Sequence, residues 1–79
     1  SNLIGFKVGK KGEDLNKILE KIISSFPSIS IKLGKRLLEK FKTLENIFRA
    51  SEYELRKVEG IGRKKARIIK EILRKRYEE

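Results

Sequence analysis

From residue 15 onward the apolar positions fall into a helical rhythm. Leu15, Ile18, Leu19, Ile22, Ile23 and Phe26 are spaced i, i+3, i+4, i+7, i+8 and i+11, which lays one continuous stripe along a helix. Asp14 stands where its carboxylate can cap or complement the start of that helix, and Pro27 is expected to end it. A second helix is predicted from about Ile31 to Lys40, turning Gly34, Leu37, Leu38 and Phe41 inward. Thr43 can cap a short connector, Leu44 to Phe48. Ser51 with Glu54 three residues on forms a capping box for a brief helix that EGIG, residues 59 to 62, brings to a stop at Val58. A last helix starts near Arg63 and presents Ala66, Ile69, Leu73 and Tyr77 inward, with Ile68 and Ile72 beside them. The prediction is an all-α domain of about five short helices. Residues 1 to 12 carry three glycines and no helical period; the alternation of Ile4, Phe6 and Val8 allows a short strand, but the stretch reads better as a linker.

The pattern also repeats. Residues 26 to 41 lie over residues 58 to 73 without a gap, pairing Ile29 with Ile61, Lys32 with Lys64, Lys35 with Arg67, Leu37 with Ile69, Glu39 with Glu71 and Phe41 with Leu73. Gly34 meets Ala66, both small, where two helices of one unit would cross closely. Each copy reads as helix, tight hairpin, helix. Neither copy can bury both faces alone, so two copies stacked about a pseudo-two-fold make one domain. Unit one is expected over 14–41, a connector over 42–50 and unit two over 51–77.

Between the helices of the second unit stand Gly60 and Gly62, one residue apart, with Arg63, Lys64 and Lys65 directly behind them. Glycines let the chain take conformations closed to residues with a Cβ and come close to a partner. The hairpin amides and the free N–H groups opening the next helix would then face outward at the positive end of the helix dipole, a site for phosphate. Read blandly, the same residues are a helix–helix turn with Ile61 as a core plug. In the first unit Ser28 and Ser30 stand at the positions of the glycines, with Pro27 before them. Ser30 can cap the following helix, while Lys32, Lys35 and Arg36 can supply ordinary charge contacts.

Composition narrows the function. The chain has 79 residues, enough for one small domain, and 21 Lys and Arg against 11 Asp and Glu give a formal charge of +10. Such a balance favours polyanions. There is no Cys and no His, and Asp14 is the only aspartate, so thiolate metal sites and histidine acid–base catalysis are excluded and no carboxylates cluster for a metal-dependent reaction. No apolar run approaches the roughly 20 residues of a membrane span, so of the two polyanionic partners, nucleic acid and an anionic membrane surface, nucleic acid is the one expected and no membrane partner is. The Ser-Asn start without Met is read as a scar or a cut from a longer protein. High Lys, Glu and Ile without Cys or Met is compatible with a thermophile.

The pattern h-x-G-h-G-x-x-x-A, complete here as Val58, Gly60, Ile61, Gly62 and Ala66, resembles the helix-hairpin-helix DNA-binding motif. Two copies joined by a short helix resemble the tandem helix-hairpin-helix domain. The stretch LLEKFKTLENIFRASEYELRKVEGIG is similar to the C-terminal domain of the XPF family, closest to its archaeal members, including the Hef helicase-nucleases. The resemblance covers about residues 14 to 79; the bacterial repair protein UvrC and bacterial DNA ligases carry similar tandem copies.

It implies a module that holds DNA by its backbone, without reading bases, and that pairs with a second copy as a homodimer. It implies forked or branched DNA as the target and repair or replication restart as the setting. The nuclease domain with its divalent metal, and in some relatives a helicase, would lie upstream, with no cofactor and no catalytic residue in this segment. The expected setting is the cytoplasm, in association with the nucleoid. The DNA contacts are expected from Gly60, Ile61, Gly62, Arg63, Lys64 and Lys65, with a weaker contribution from Ser28, Ser30, Lys32 and Lys35. Phe6, Phe48 and Tyr77 are the candidates for a dimer contact, with core filling as the other reading of Phe48. Other readings stay open: a module used mainly for protein pairing, the tandem hairpin domain of another repair protein such as UvrC, and an RNA binder. A small glycosylase or lyase would need a catalytic carboxylate beyond the hairpin helix, and no Asp follows Asp14.

Overall fold

The structure, a computed structural model, describes residues 14–79. The expectations for residues 1 to 12, a linker or short strand and a contact through Phe6, lie outside the described residues. Five helices follow in order: α1 Leu15–Ser24, α2 Ile31–Phe41, α3 Leu44–Arg49, α4 Glu52–Leu55 and α5 Arg63–Arg74. Helix α1 packs on α2, α4 packs on α5, and α3 touches both α2 and α5, so the connector bridges the two units.

Local chemistry sets the helix boundaries. Asp14 accepts from the Asn16 N–H at the start of α1, Ser30 Oγ from Leu33 at the start of α2, and Thr43 from Asn46 at the start of α3. Each satisfies one N–H that the helix itself leaves open, worth about 1 kcal/mol. At α4 the capping box is complete: Glu54 N–H donates to Ser51 Oγ at 3.1 Å and Ser51 N–H to Glu54 Oε1 at 2.9 Å. That hydrogen bond from the Ser51 backbone, more than any neighbouring charge, holds the Glu54 carboxyl below the usual carboxylate range.

The duplication is written in the hydrogen bonds. Ile29 N–H donates to Phe26 C=O at 3.1 Å and Ile61 N–H to Val58 C=O at 3.0 Å, while Gly34 donates to Ser30 C=O and Ala66 to Gly62 C=O. Phe26 to Ile23 and Val58 to Leu55 form a third matching pair. Each pair is displaced by the same interval as the sequence repeat, so both hairpins close in the same way.

The core is built symmetrically from these units: Ile23, Ile29, Leu33 and Leu37 from the first, Leu55, Val58, Ile61, Ala66 and Ile69 from the second, and Ile47 and Ala50 from the connector. Two small residues permit the close crossings. A Cβ at Gly34 would lie 2.8 Å from Ile23 Cγ2, so α1 and α2 meet only because position 34 has no side chain. Its counterpart Ala66 is fully buried. Phe26 stacks on Phe48 with ring centroids 6.1 Å apart, tying the first hairpin to the connector.

Three details depart from the sequence reading. Helix α1 stops at Ser24, so Phe26 belongs to the hairpin rather than to the last turn; the Ser25 N–H returns to the carbonyls of Ile22 and Ile23 and closes the end before Pro27 is reached. Leu33 is a core residue of α2, while Ile31 before it is exposed. Tyr77 does not face inward. Helix α5 ends at Arg74, and Tyr77 beyond it is 89% exposed. It follows a tail where Arg74, Lys75 and Arg76 stand in sequence.

Candidate nucleic-acid interface

The two hairpins share a backbone but not a surface. In the second, Gly60 has φ +96°, a left-handed conformation that residues with a Cβ rarely adopt. A Cβ there would also sit 2.8 Å from Leu33 Cδ1 and 3.2 Å from Arg36 Nη1, so this glycine is required twice over, for the turn and for the fit against α2. Gly62 differs. Its φ of −98° is open to any residue, and an added Cβ would meet nothing within 4 Å. Packing does not demand a glycine at 62, and without a side chain the backbone there is left open.

Gly62 is the N-cap of α5 and offers no side-chain cap. The first N–H groups of α5 therefore keep their hydrogens unassigned among the described residues, and the helical ladder begins with Ala66 N–H donating to Gly62 C=O at 3.0 Å. Arg63, Lys64 and Lys65 form that first turn; Arg63 and Lys64 are exposed and Lys65 is half-buried. Free amides at a helix start, a basic first turn and no acidic residue within it give a positive, sterically open end. Ile61 is 4% exposed and its N–H donates within the turn, so its side chain anchors the loop from below instead of meeting a ligand.

The first hairpin shows what a side chain at the cap does. Ser28, the counterpart of Gly60, takes the left-handed conformation with φ 69° despite its Cβ. Ser30, the counterpart of Gly62, turns its hydroxyl back to accept from Leu33 N–H at 3.1 Å. The amide equivalent to Lys65 N–H is thus already taken. Lys32 is exposed in the first turn of α2, whereas Lys35 lies one turn further along, lining a groove between α1 and α2 with Asn16, Leu19, Glu20, Leu38, Glu39 and Lys42. Ser28, Ser30 and Lys32 are brought together at the hairpin; Lys35 is not.

Two functional details escaped the sequence reading. Arg36 reaches from α2 to the second hairpin, where its Nη1 donates to Glu59 C=O at 3.0 Å. Lys70 is 8% exposed, and its ammonium donates to Phe48 C=O at 2.9 Å and to Ala50 C=O at 2.7 Å, closing the C-terminal end of α3. Its position in the stripe Ala66, Ile69, Lys70, Leu73 was the available signal. Phe48, one candidate for a dimer contact, is half-buried against the core and stacked on Phe26. Among the described residues no group of three or more acidic side chains converges on a point, and no helix is long and apolar enough to cross a membrane.

This arrangement is matched by known proteins. Residues 19–75 fit the model of the SAM-like helix-hairpin-helix tandem. The chain belongs to that family. It is 44% identical over 77 residues to the 3′-flap repair endonuclease Xpf of Saccharolobus solfataricus, covering 98% of this chain and 33% of that protein. It is 43% identical over 72 residues to a protein of Methanocaldococcus jannaschii described as an ATP-dependent RNA helicase, covering 91% of this chain and 9% of the relative. The chain thus spans a third or less of these two relatives. Among solved structures, XPF from Aeropyrum pernix superposes with a TM-score of 0.78 at 39% identity, over 96% of this chain and 39% of that one. The same XPF in complex with DNA gives a TM-score of 0.77. The Xpf and helicase relatives are archaeal, as the wording between the hairpins suggested, and bacterial DNA integrity scanning proteins DisA and a bacterial UvrC are similar as well. The tandem domain with its all-helical fold is present as expected.

Proposed function

We propose that this chain is the DNA-binding module of an XPF/Hef-type structure-specific endonuclease, gripping the sugar-phosphate backbone without regard to sequence. The observation that carries the proposal is the second hairpin. An open Gly62, unassigned amides at the start of α5 and the charges of Arg63, Lys64 and Lys65 form one anion-accepting end. Contacts of this kind position a protein on DNA and read its shape rather than its bases. Gly60 supports the loop, and Ile61 anchors it. On the first hairpin, Lys32 is a charge contact, and Ser28 and Ser30 contribute shape more than donors. Lys35 in its groove adds only to the general field.

The preferred target is forked DNA or a junction of single and double strands, in keeping with the flap endonuclease among the relatives. The complete protein would carry its nuclease and divalent metal upstream of this segment, with or without a helicase, and act inside the cell at the nucleoid in repair or replication restart.

Fluorescence anisotropy on matched single-stranded, duplex and forked DNA at two salt concentrations tests this reading. Each neutralised phosphate should steepen the fall of log K with log salt by roughly 0.9 on duplex and 0.7 on single strands. No binding to any of the three at low salt would overturn it. Competition with RNA of equal length separates DNA from RNA binding, a distinction made pertinent by the helicase relative.

A second role, pairing with another copy of the chain, is favoured by large apolar side chains left in solvent. Ile72 is 41% exposed on α5 and Tyr77 is 89% exposed beyond it. The small core of such a domain would gain from a partner. Sedimentation as a monomer at high concentration would remove this role.

A further inference from the structure

The contact between Arg36 and Glu59 has no counterpart in the other half of the domain. By the repeat, Arg36 corresponds to Ile68 and Glu59 to Pro27, a pair with no donor to offer. Unit one therefore reaches into the loop of unit two, and unit two does not return the contact. Arg36 is half-buried, and its Nη1 lies both 3.0 Å from the Glu59 carbonyl oxygen and 3.2 Å from where a Cβ of Gly60 would stand.

The peptide joining Glu59 to Gly60 is trans, like every other among the described residues. A trans peptide is planar and directs its C=O and N–H to opposite sides. When Arg36 holds the carbonyl toward α2, the Gly60 N–H is turned away from α2. That N–H has no backbone acceptor among the described residues, and Gly60 itself is exposed. Gly60 has φ +96°, in the left-handed region where a glycine peptide can rotate with little steric resistance, so a hydrogen bond from outside the turn adds to what holds its orientation.

We propose that Arg36 is a positioning residue for the second hairpin: its bond to the Glu59 carbonyl locks the Glu59–Gly60 peptide with the N–H outward, so the first unit sets the readiness of the second to accept a phosphate. The inference rests on the phosphate-binding reading of that hairpin. It assigns the first unit a role in the site that does not require its own hairpin to touch the ligand. The guanidinium is engaged with a carbonyl and acts through the loop.

The test follows the Gly60 amide by two-dimensional NMR while the labelled chain is titrated with a short duplex DNA at low salt. In the wild type the Gly60 resonance should move in step with binding. In Arg36→Met the affinity should fall about tenfold, the loss of one charge-assisted hydrogen bond to phosphate. Its Gly60 resonance should no longer respond, while resonances of α1 and α3 stay where they were. Arg36→Lys, which keeps a cationic donor on a long side chain, should restore at least part of the Gly60 response. If the Met variant does not fold, Arg36→Gln, polar but too short to reach, takes its place. A variant that binds as tightly as the wild type overturns the inference. So does one that loses affinity while Gly60 still responds, because Arg36 would then be a direct charge contact. A wild type that binds no duplex overturns the phosphate reading, and the inference falls with it.

Discussion

Replacing Gly62 with serine separates folding from binding at a single position. The first hairpin already shows the outcome, because Ser30 occupies the matching position and accepts from Leu33 N–H at 3.1 Å. In Gly62→Ser the new hydroxyl should accept from Lys65 N–H in the same way. The backbone at 62, with φ −98° and ψ −167°, suits a serine cap, and its Cβ would meet nothing within 4 Å. Glycine and serine caps differ by only a few tenths of a kcal/mol in favour of serine. Thermal unfolding should therefore move upward by at most about 3 °C, using the scale of roughly 4–8 °C per kcal/mol for a domain of this size.

Binding should move the other way. One amide is withdrawn from the phosphate and a methylene stands in its approach. A hydrogen bond to a charged group is worth about 1.5–3 kcal/mol, so affinity for duplex should drop at least about tenfold. Anisotropy at fixed low salt reads the affinity, and a melt of the same sample reads the fold. A variant that melts as high as the wild type and binds as tightly would refute the amide mechanism outright. Gly60→Ala is the wrong tool for this purpose. It forces a Cβ into the left-handed region and to within 2.8 Å of Leu33 Cδ1. That should cost about 2 kcal/mol or more of stability, seen as a lower melting temperature, so any loss of binding would be ambiguous.

Three other substitutions probe the scaffold. Ser28→Gly should raise stability by about 0.5–1 kcal/mol, because relief of the left-handed strain at φ 69° outweighs the added chain entropy; a chemical-denaturation midpoint that falls would contradict it. Lys70→Met, matched in length, should cost about 2 kcal/mol by leaving the Phe48 and Ala50 carbonyls without their donor, measured as a shift in the urea midpoint at unchanged slope. The third is a pH effect at Glu54, whose carboxyl is held below its usual range by the Ser51 backbone hydrogen bond. Its folded pKa is the lower one, so its contribution is complete above the ordinary range and fades as pH falls below about 4.5 toward the depressed value. Glu54→Gln keeps the box's acceptor, so melting temperatures taken from neutral to acid pH should fall less steeply than in the wild type.

What could be read from the sequence was mostly local or periodic. Ser30, Thr43 and the Ser51–Glu54 box each act within three residues, and all three start helices where their side chains said they would. The gapless overlay of the two units carried the hairpin geometry as well, down to matching hydrogen bonds at Ile29 and Ile61. Ends and crossings were harder. Nothing in the apolar rhythm stops α5 before Tyr77, because Leu73 continues the stripe; the helix ends where three basic residues offer no further burial. Arg36 and Glu59 are joined across 23 positions, a separation at which no pattern in one helix points to a partner in another loop. Lys70 carried no signal of its own beyond its place beside Ile69, which put it on the buried side. A cation there needs carbonyl partners, and those of Phe48 and Ala50 exist only once α3 is docked.

The two halves of the domain are equal in backbone and unequal in chemistry, and the difference follows from two positions. At the turn itself, serine at 28 tolerates what glycine at 60 adopts freely, so the first loop closes under strain but does close. At the cap, serine at 30 consumes the amide that glycine at 62 leaves open. A side chain at the cap strengthens a helix and closes an anion site in the same act, since both draw on the same unpaired N–H groups. One hairpin has taken the first use and the other keeps the second. The Leu33 side chain and the Arg36 guanidinium, both from the capped unit, then form the surface against which Gly60 fits. The capped half supports the loop of the open half, which is why a domain with one accessible hairpin still needs both copies.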